Sequence, residues 1–400
     1  MSMFKATTAC SLLDSAGNAA AECIAQIEDA TTSAPSIVIV MANSALSLGG
    51  LADALSRRWP GVRIHASTSC LGAMTESNVV MSPTAGVAML AITDPAGDFG
   101  VAAGSLEAGV QPSAARLVRQ ALADAGRAGE IPALVLVSVT PGAEEQFIAG
   151  LQAVVGPHTT IVGGSAADNY LSGAWCVQSQ DFGTSSGAVV SVLFPSVAVS
   201  TAFESGYAPT DHRGLITRAE GRRVIEIDHE PAATVYERWT GGGIARPLAG
   251  TVNILAASAL MPLGRVASRL DDMPIYKLSH PETVAADGSM TLFTAVAEGE
   301  ELLMMRGTPA TLIARASSVV RSARRIGDVE SSEISAVLMF YCGGCMLQIS
   351  DRIDEIRQSL AQAITDKPIV VGFTFGEQGP ITLGPVEHGN LMISAIVFGR

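Results

Sequence analysis

The chain has 400 residues, 48% of them hydrophobic and 16% charged, with a formal net charge of −13. That composition supplies a large core and excludes extended disorder. The acidity, with no Lys/Arg cluster interleaved with aromatics, excludes nucleic acid and anionic membrane surfaces as natural partners.

The N-terminal residues MSMFKATTACSLLDSAGNAAAE contain no long apolar stretch of the secretory type. Residues 15–30 then carry apolar positions at helical spacing behind a candidate serine cap. We assign residues 1–34 as an N-terminal helical segment of a first module. Residues 36–42, SIVIVMA, predict a buried strand; 46–59 predict a helix closed by Pro60-Gly61; 62–68 predict a second strand. This strand, helix, strand unit recurs. Residues 133–139, 143–155 and 159–162 repeat it, ending in Gly163-Gly164-Ser165. Residues 336–341, 353–364 and 368–371 repeat it again, ending in GFTFGEQG. Each copy predicts parallel strands joined by a crossover helix. Between the copies, 79–92, 99–104, 185–194 and 197–203 read as antiparallel strands, with a helix over 114–128. Residues 223–240 predict a strand, a turn and a helix. Short strands follow over 273–305, with a hairpin turn at 286–289, and a helix over 309–324. The most apolar stretch, 188–203, is interrupted by serines and Pro195 and is too short to span a bilayer. The expected fold is α/β in the mixed α+β sense, two related modules of repeated strand-helix-strand units with added antiparallel strands. Thr240 to Gly243 is the expected boundary, giving modules over 35–240 and 241–400.

In open α/β sheets, ligands sit outside the carboxyl ends of the strands. The polar residues there are the candidate site. From the last copy come Thr374, Phe375, Glu377 and Gln378, with His388 and Asn390 in the following turn. From the earlier copies come Ser69, Cys70, Gly164, Ser165 and Asn169. Glu377, a lone carboxylate among Gly, Phe and Thr, reads as an acceptor for an amine or guanidinium group. Cys342-Gly343-Gly344-Cys345 has three readings: a redox pair, two ligands of a metal site completed by His388 and Glu377, or two reduced thiols in a tight loop. His65 reads as a core or interface histidine, and His158, His212, His229 and His280 as solvated loop residues. Gly183-Thr184-Ser185-Ser186-Gly187 matches G-x-S-x-G but leads into a strand, so it reads as a turn and not a nucleophile elbow. Six cysteines in this length, without an export signal, imply reduced thiols in the cytoplasm.

The order of segments resembles one family, the FIST sensory domain with its N-terminal and C-terminal modules. The resemblance rests on SIVIVMANS at 36–44, HASTSCLGAM at 65–74, IVGGSAADN at 161–169 and SGAVVSVLF at 186–194. In the second half it rests on DGSMTLFTAVAEGEELLMMR at 287–306, MFYCGGCM at 339–346 and GFTFGEQG at 372–379. It implies a cytoplasmic signal-input protein that binds a small ligand, such as an amino acid. It also implies an output partner on a separate chain, a histidine kinase or a cyclic-di-nucleotide enzyme. Members that sense nitric oxide through haem make haem, or a thiolate-bound metal on Cys342, Cys345 and His388, a second reading. A third reading is an enzyme using a Cys342 or Cys345 thiolate beside His388. The second cysteine departs from the family's commoner form, in which one cysteine is followed by an arginine.

Overall fold

The strands Ile37–Asn43 and Arg63–Ser69 pair in parallel, joined by the helix Leu48–Arg58, as the sequence unit requires. Both are buried on both faces, which is why they read as near-continuous apolar or small-residue runs. The antiparallel strands Lys5–Ser11 and Val87–Thr93 extend the sheet on one side. The second copy places Leu134–Val139 parallel to Ile161–Ser165, flanked by Gly187–Phe194 and Asp98–Ser105. The third places Ala336–Cys342 parallel to Ile369–Thr374, flanked by Met392–Phe398 and Val199–Ser205. The structure, a computed structural model, describes residues 4–244, 247–382 and 384–399.

Each copy supplies four strands of a six-stranded mixed sheet. The remaining two come from another copy, through the hairpin that follows the second parallel strand. The hairpin 72–81 leaves the first copy and pairs with Ile369–Thr374 of the third sheet. The hairpin 177–184 leaves the second copy and pairs with Arg63–Ser69 of the first. The hairpin 377–389 leaves the third copy and pairs with Ile161–Ser165 of the second. The exchange therefore closes into a ring of three.

Packing follows the same plan. One face of each sheet meets the others in a shared core containing Ile39 and Met41, Leu134 and Leu136, and Phe340, Ile396 and Phe398. The opposite faces are covered by helices: Ala16–Ala30 and Leu48–Arg58 on the first sheet, Val110–Asp124 and Glu144–Val155 on the second, Pro309–Ile326 and Ile353–Ala363 on the third. Residues 208–306 are an insertion in the third copy, a nine-stranded sheet covered by the helix Ala232–Thr240. Gly241 ends that helix in the left-handed conformation, φ 75°.

Two local features depart from expectation. Lys5–Ser11, KATTACS, is a strand in the segment assigned as helical. Its small residues carry no apolar signal, and pairing with Val87–Thr93 decides its state. The helix after Cys342 begins at once, over Gly343–Leu347, rather than at a distance.

His65 is fully buried on the Arg63–Ser69 strand. Its Nδ1 lies 2.8 Å from Ser191 Oγ and its Nε2 3.0 Å from Ser138 Oγ, so the ring is shared with the second sheet. Burial with two neutral partners holds its pKa down at about 3. The folded chain thus refuses a proton that the unfolded chain takes up near pH 6.5. Stability is lost as the pH falls from there towards 3, by at most about 1.4 kcal/mol per pH unit. Urea unfolding between pH 6 and pH 4 will show a pH slope steeper by that amount than in His65→Gln; equal slopes would contradict the buried neutral ring.

Candidate functional site

The three parallel pairs bring their carboxyl ends together, and the tips are bonded to one another. Cys70 N donates to Phe373 O at 2.9 Å, and Phe373 N donates to Ser69 Oγ at 2.7 Å. Ser165 N donates to Gly376 O at 2.7 Å, and Phe375 N returns to Ser165 O at 3.0 Å. Ala167 N donates to Thr68 O at 3.0 Å, so each pair of tips is joined. The approach is close enough to demand glycine. A Cβ on Gly164 would stand 2.5 Å from Thr374 Cγ2, and one on Gly376, at φ 146°, would stand 2.5 Å from His388 Cε1.

The candidate residues fall into three groups around this junction. Ser69 and Cys70 bind the first tip to the third, and Asn169 binds it to the second. Asn169 Oδ1 accepts from Leu71 N at 2.8 Å and its Nδ2 donates to Asn43 Oδ1 and Pro83 O. Burial lifts the Cys70 thiol to about 12, with the charge of Asp168 adding to it.

The second group is a buried polar chain. Gln378 Nε2 lies 3.2 Å from both Ser165 Oγ and His388 Nδ1. Ser165 Oγ donates to Glu144 Oε1 at 2.9 Å, and His388 Nε2 lies 3.9 Å from Glu144 Oε2. Glu144 opens the helix Glu144–Val155, where a carboxylate suits the exposed amide ends, and Gly142 N donates to it. Arg222, from the insertion, reaches both Glu144 and Glu145 at 2.7 Å. Burial alone would raise both carboxyl pKa values; His388 and Arg222 outweigh it, so Glu144 is displaced downward and Glu145 falls to about 2. Ala295 N donates to Glu145 Oε1 at 2.8 Å, adding a second clamp on the insertion. Glu377 stands apart from this chain. Its oxygens accept from Thr374 Oγ1 at 2.8 Å and from Met392 N at 3.1 Å. Burial pushes its pKa well above the usual carboxylate range, and the Cys342 thiol adds to the shift.

The third group lines a cavity of about 280 Å³ between the third tip and the insertion. Cys342, Gly344, Phe375 and Asn390 form one wall, with Leu347 and Gln348 beside them. The insertion supplies Asn253, Leu255, Ala256, Ala259, His280 and Phe293, and the second copy supplies Leu171. Of the residues selected from sequence, Cys342, Phe375 and Asn390 reach this space; Thr374, Glu377, Gln378, His388 and Ser165 lie in the buried layer at the junction. His280 is a correction. Expected as a solvated loop residue, it is 5% exposed, held between two strands by a 3.0 Å contact from Nε2 to Leu255 O. Phe293, Glu144 and Arg222 are not among the residues that the sequence singles out. Glu144 follows a strand's carboxyl end and was open to the same rule as the others. The insertion residues carry no local signal.

The thiols bear on two of the earlier readings. Cys342 and Cys345 are buried and free, and Cys345 Sγ lies 3.4 Å from Tyr207 Oη. Burial, followed by the neighbouring Cys345, pushes the Cys342 thiol well above its ordinary value, which disfavours the thiolate that a nucleophile or a metal ligand needs. Among the described residues no three His, Cys, Asp or Glu side chains are placed to hold a metal ion. His388 is 1% exposed; its Nδ1 lies 3.2 Å from Gln378 and its Nε2, without a hydrogen-bond partner, faces Glu144 at 3.9 Å inside the buried layer, which leaves no open space beside it for a haem. This arrangement does not fit haem or a thiolate-bound metal.

Residues 36–230 match the model of the FIST N domain and residues 232–380 that of the FIST C domain. The chain belongs to the FIST family. FIST domains are sensory domains. No curated protein sequence matches the chain significantly. Among solved structures it is similar to the cyanuric acid hydrolase from A. caulinodans, at 11% identity over the whole of both chains, with a TM-score of 0.41. A second cyanuric acid hydrolase structure, described as evolutionary innovation by structural concatenation, is similar at 11% identity over both whole chains, with a TM-score of 0.40. Among the described residues, no helix of this FIST protein is long and apolar enough to cross a membrane.

The Arg222 clamp sets the expectation for a variant. Arg222→Ala leaves Glu144, whose side chain is 2% exposed, without its cation. The loss will be roughly 3 kcal/mol, the low end for a broken buried pair because Arg222 is partly exposed. Denaturant unfolding of Arg222→Ala and of Arg222→Ala/Glu144→Gln checks this. The double variant recovers part of the loss, and a fully additive pair would contradict the coupling.

Proposed function

We propose that this FIST protein is a signal-input protein of a reducing, cytoplasmic compartment, which holds a small molecule in the cavity between the third strand tip and the insertion. The observation that carries the reading is the make-up of that cavity. At about 280 Å³ it is just smaller than the usual ligand sites of roughly 300–1,000 Å³, which suits a small occupant, and it pairs apolar walls with a few buried polar groups. Its walls come from the second copy, the third copy and the insertion, so an occupant touches all three. Filling it biases how the insertion sits on the sheets, and a change there is one a second protein can read. A histidine kinase or a cyclic-di-nucleotide enzyme on a separate chain is the output partner this reading names. The buried layer of Thr374, Glu377, Gln378, His388 and Ser165, with Gly164 in close contact, supports the wall from behind. Ser69, Cys70 and Asn169 hold the neighbouring tip.

Ala256 is exposed at the rim of the cavity on the short helix Leu255–Ser258. Ala256→Trp therefore fills the space without disturbing the core. A metabolite screen by thermal shift will find a ligand that adds about 2.7 kcal/mol of apparent stability at a hundred times its Kd. Ala256→Trp will keep its own stability and lose that response. A screen with no hit, or a hit that Ala256→Trp still binds, removes the cavity as the sensing site.

A further inference from the structure

We infer that the cavity takes an uncharged, flat, largely apolar molecule bearing an N–H or O–H donor, rather than a zwitterion. The inference rests on the small-ligand reading above and narrows the ligand class. Four observations carry it.

Among the described residues, no Lys, Arg, Asp or Glu lines the space. The nearby carboxyl group of Glu377 is committed, with one oxygen on Thr374 Oγ1 and the other on Met392 N, and burial favours its uncharged form. Glu144 is committed as well, to Arg222, Ser165 and Gly142. An ammonium or carboxylate entering the cavity would leave water and meet no opposite charge, which is strongly unfavourable.

The second observation is Asn390. It is 3% exposed and lines the cavity; its Oδ1 has no hydrogen-bond partner in the protein and is itself shielded, so a ligand donor reaches it once the amide turns about its χ2 bond. An unpaired buried carbonyl oxygen is costly unless a ligand or a water donates to it. Its backbone is fixed, with Asn390 N donating to Leu278 O at 3.0 Å, so the residue is held at the wall while its side chain can turn.

The third is the state of His280. Its Nε2 faces the carbonyl of Leu255, which only accepts, so Nε2 carries the proton and Nδ1 is an acceptor. Burial holds the ring neutral, its pKa down at about 4. His280 thus offers the cavity a second acceptor and no charge.

The fourth is the apolar lining. Phe293, whose ring centroid lies 6.2 Å from that of His280, and Phe375, edge-on to Trp175 at 6.4 Å, line the space. Aromatic and aliphatic walls favour a flat apolar body.

Indole serves as the probe, because its N–H is the only polar group on an uncharged ring. It is compared with 1-methylindole, which lacks the donor, and with tryptophan, tryptamine and indole-3-acetate, which add charges. Isothermal titration and thermal shift on the full chain will show indole binding at least tenfold more tightly than 1-methylindole. The three charged compounds will be weaker still. Asn390→Leu will bring the ratio of indole to 1-methylindole close to one while 1-methylindole still binds, which also reports that the variant is folded. If Asn390→Leu does not fold, the wild-type ratio decides alone. Charged analogues binding as well as indole, a ratio near one in the wild type, or no binding by any of the five overturns the inference. The small-ligand reading fails separately, when no compound of any class gives a response that Ala256→Trp removes.

Discussion

Mutual hydrogen bonding of three strand tips is the constraint on which the rest of this structure depends. A strand that ends inside a protein leaves amides and carbonyls that water cannot reach, and these must find partners. Here Ser69 and Cys70 find them on Phe373, Ser165 finds them on Gly376 and Phe375, and Ala167 finds one on Thr68. The hairpin exchange extends this bonding outward, since each tip runs directly into strands that complete a neighbouring sheet. No copy can complete its sheet alone. The three sheets are therefore expected to fold and unfold together, although the chain is long enough for several domains.

That arrangement explains why the junction is so polar and so dry. Thr374, Glu377, Gln378, His388, Ser165 and Glu144 are all nearly inaccessible, and most of their polar atoms are spent on one another. Such a network fixes positions rather than adding much net stability. It ties the insertion to the second copy through Arg222, and it backs the wall on which Asn390 sits. The few atoms it leaves unpaired, Gln378 Oε1, His388 Nε2 and Asn390 Oδ1, lie close in the sequence of one hairpin and its exit. Of these three residues, Asn390 is the one that lines the cavity. The cavity wall is thus a place where a satisfied polar layer gives way to an unsatisfied one.

Much of this was legible before any coordinates. The threefold strand-helix-strand unit came from apolar runs such as 36–42, 133–139 and 336–341, each ending in small or polar residues. The rule that ligands collect at carboxyl ends picked Cys342, Phe375 and Asn390, which line the cavity. It could not separate them from Glu377 and His388, because the same rim supplies both the wall and the layer behind it. The hairpin exchange was hidden because pairing between 73–75 and 370–372 spans some three hundred residues and leaves no local pattern. His280 was misread for a related reason. A histidine before a proline between polar neighbours looks like a loop, and only its packing against Leu255 within the insertion and against Gly344 of the third copy buries it.

The central claim is that the three tips form a single, non-opening junction. Native-state hydrogen exchange tests it most directly. The amides of Cys70, Ser165, Phe373 and Phe375 will exchange only through global unfolding, with the same opening free energy and the same denaturant dependence. Amides of the insertion, such as those of Thr251–Asn253, will open at lower cost. If any one tip exchanges by a local opening well below the global value, the junction is not one unit and the account is wrong.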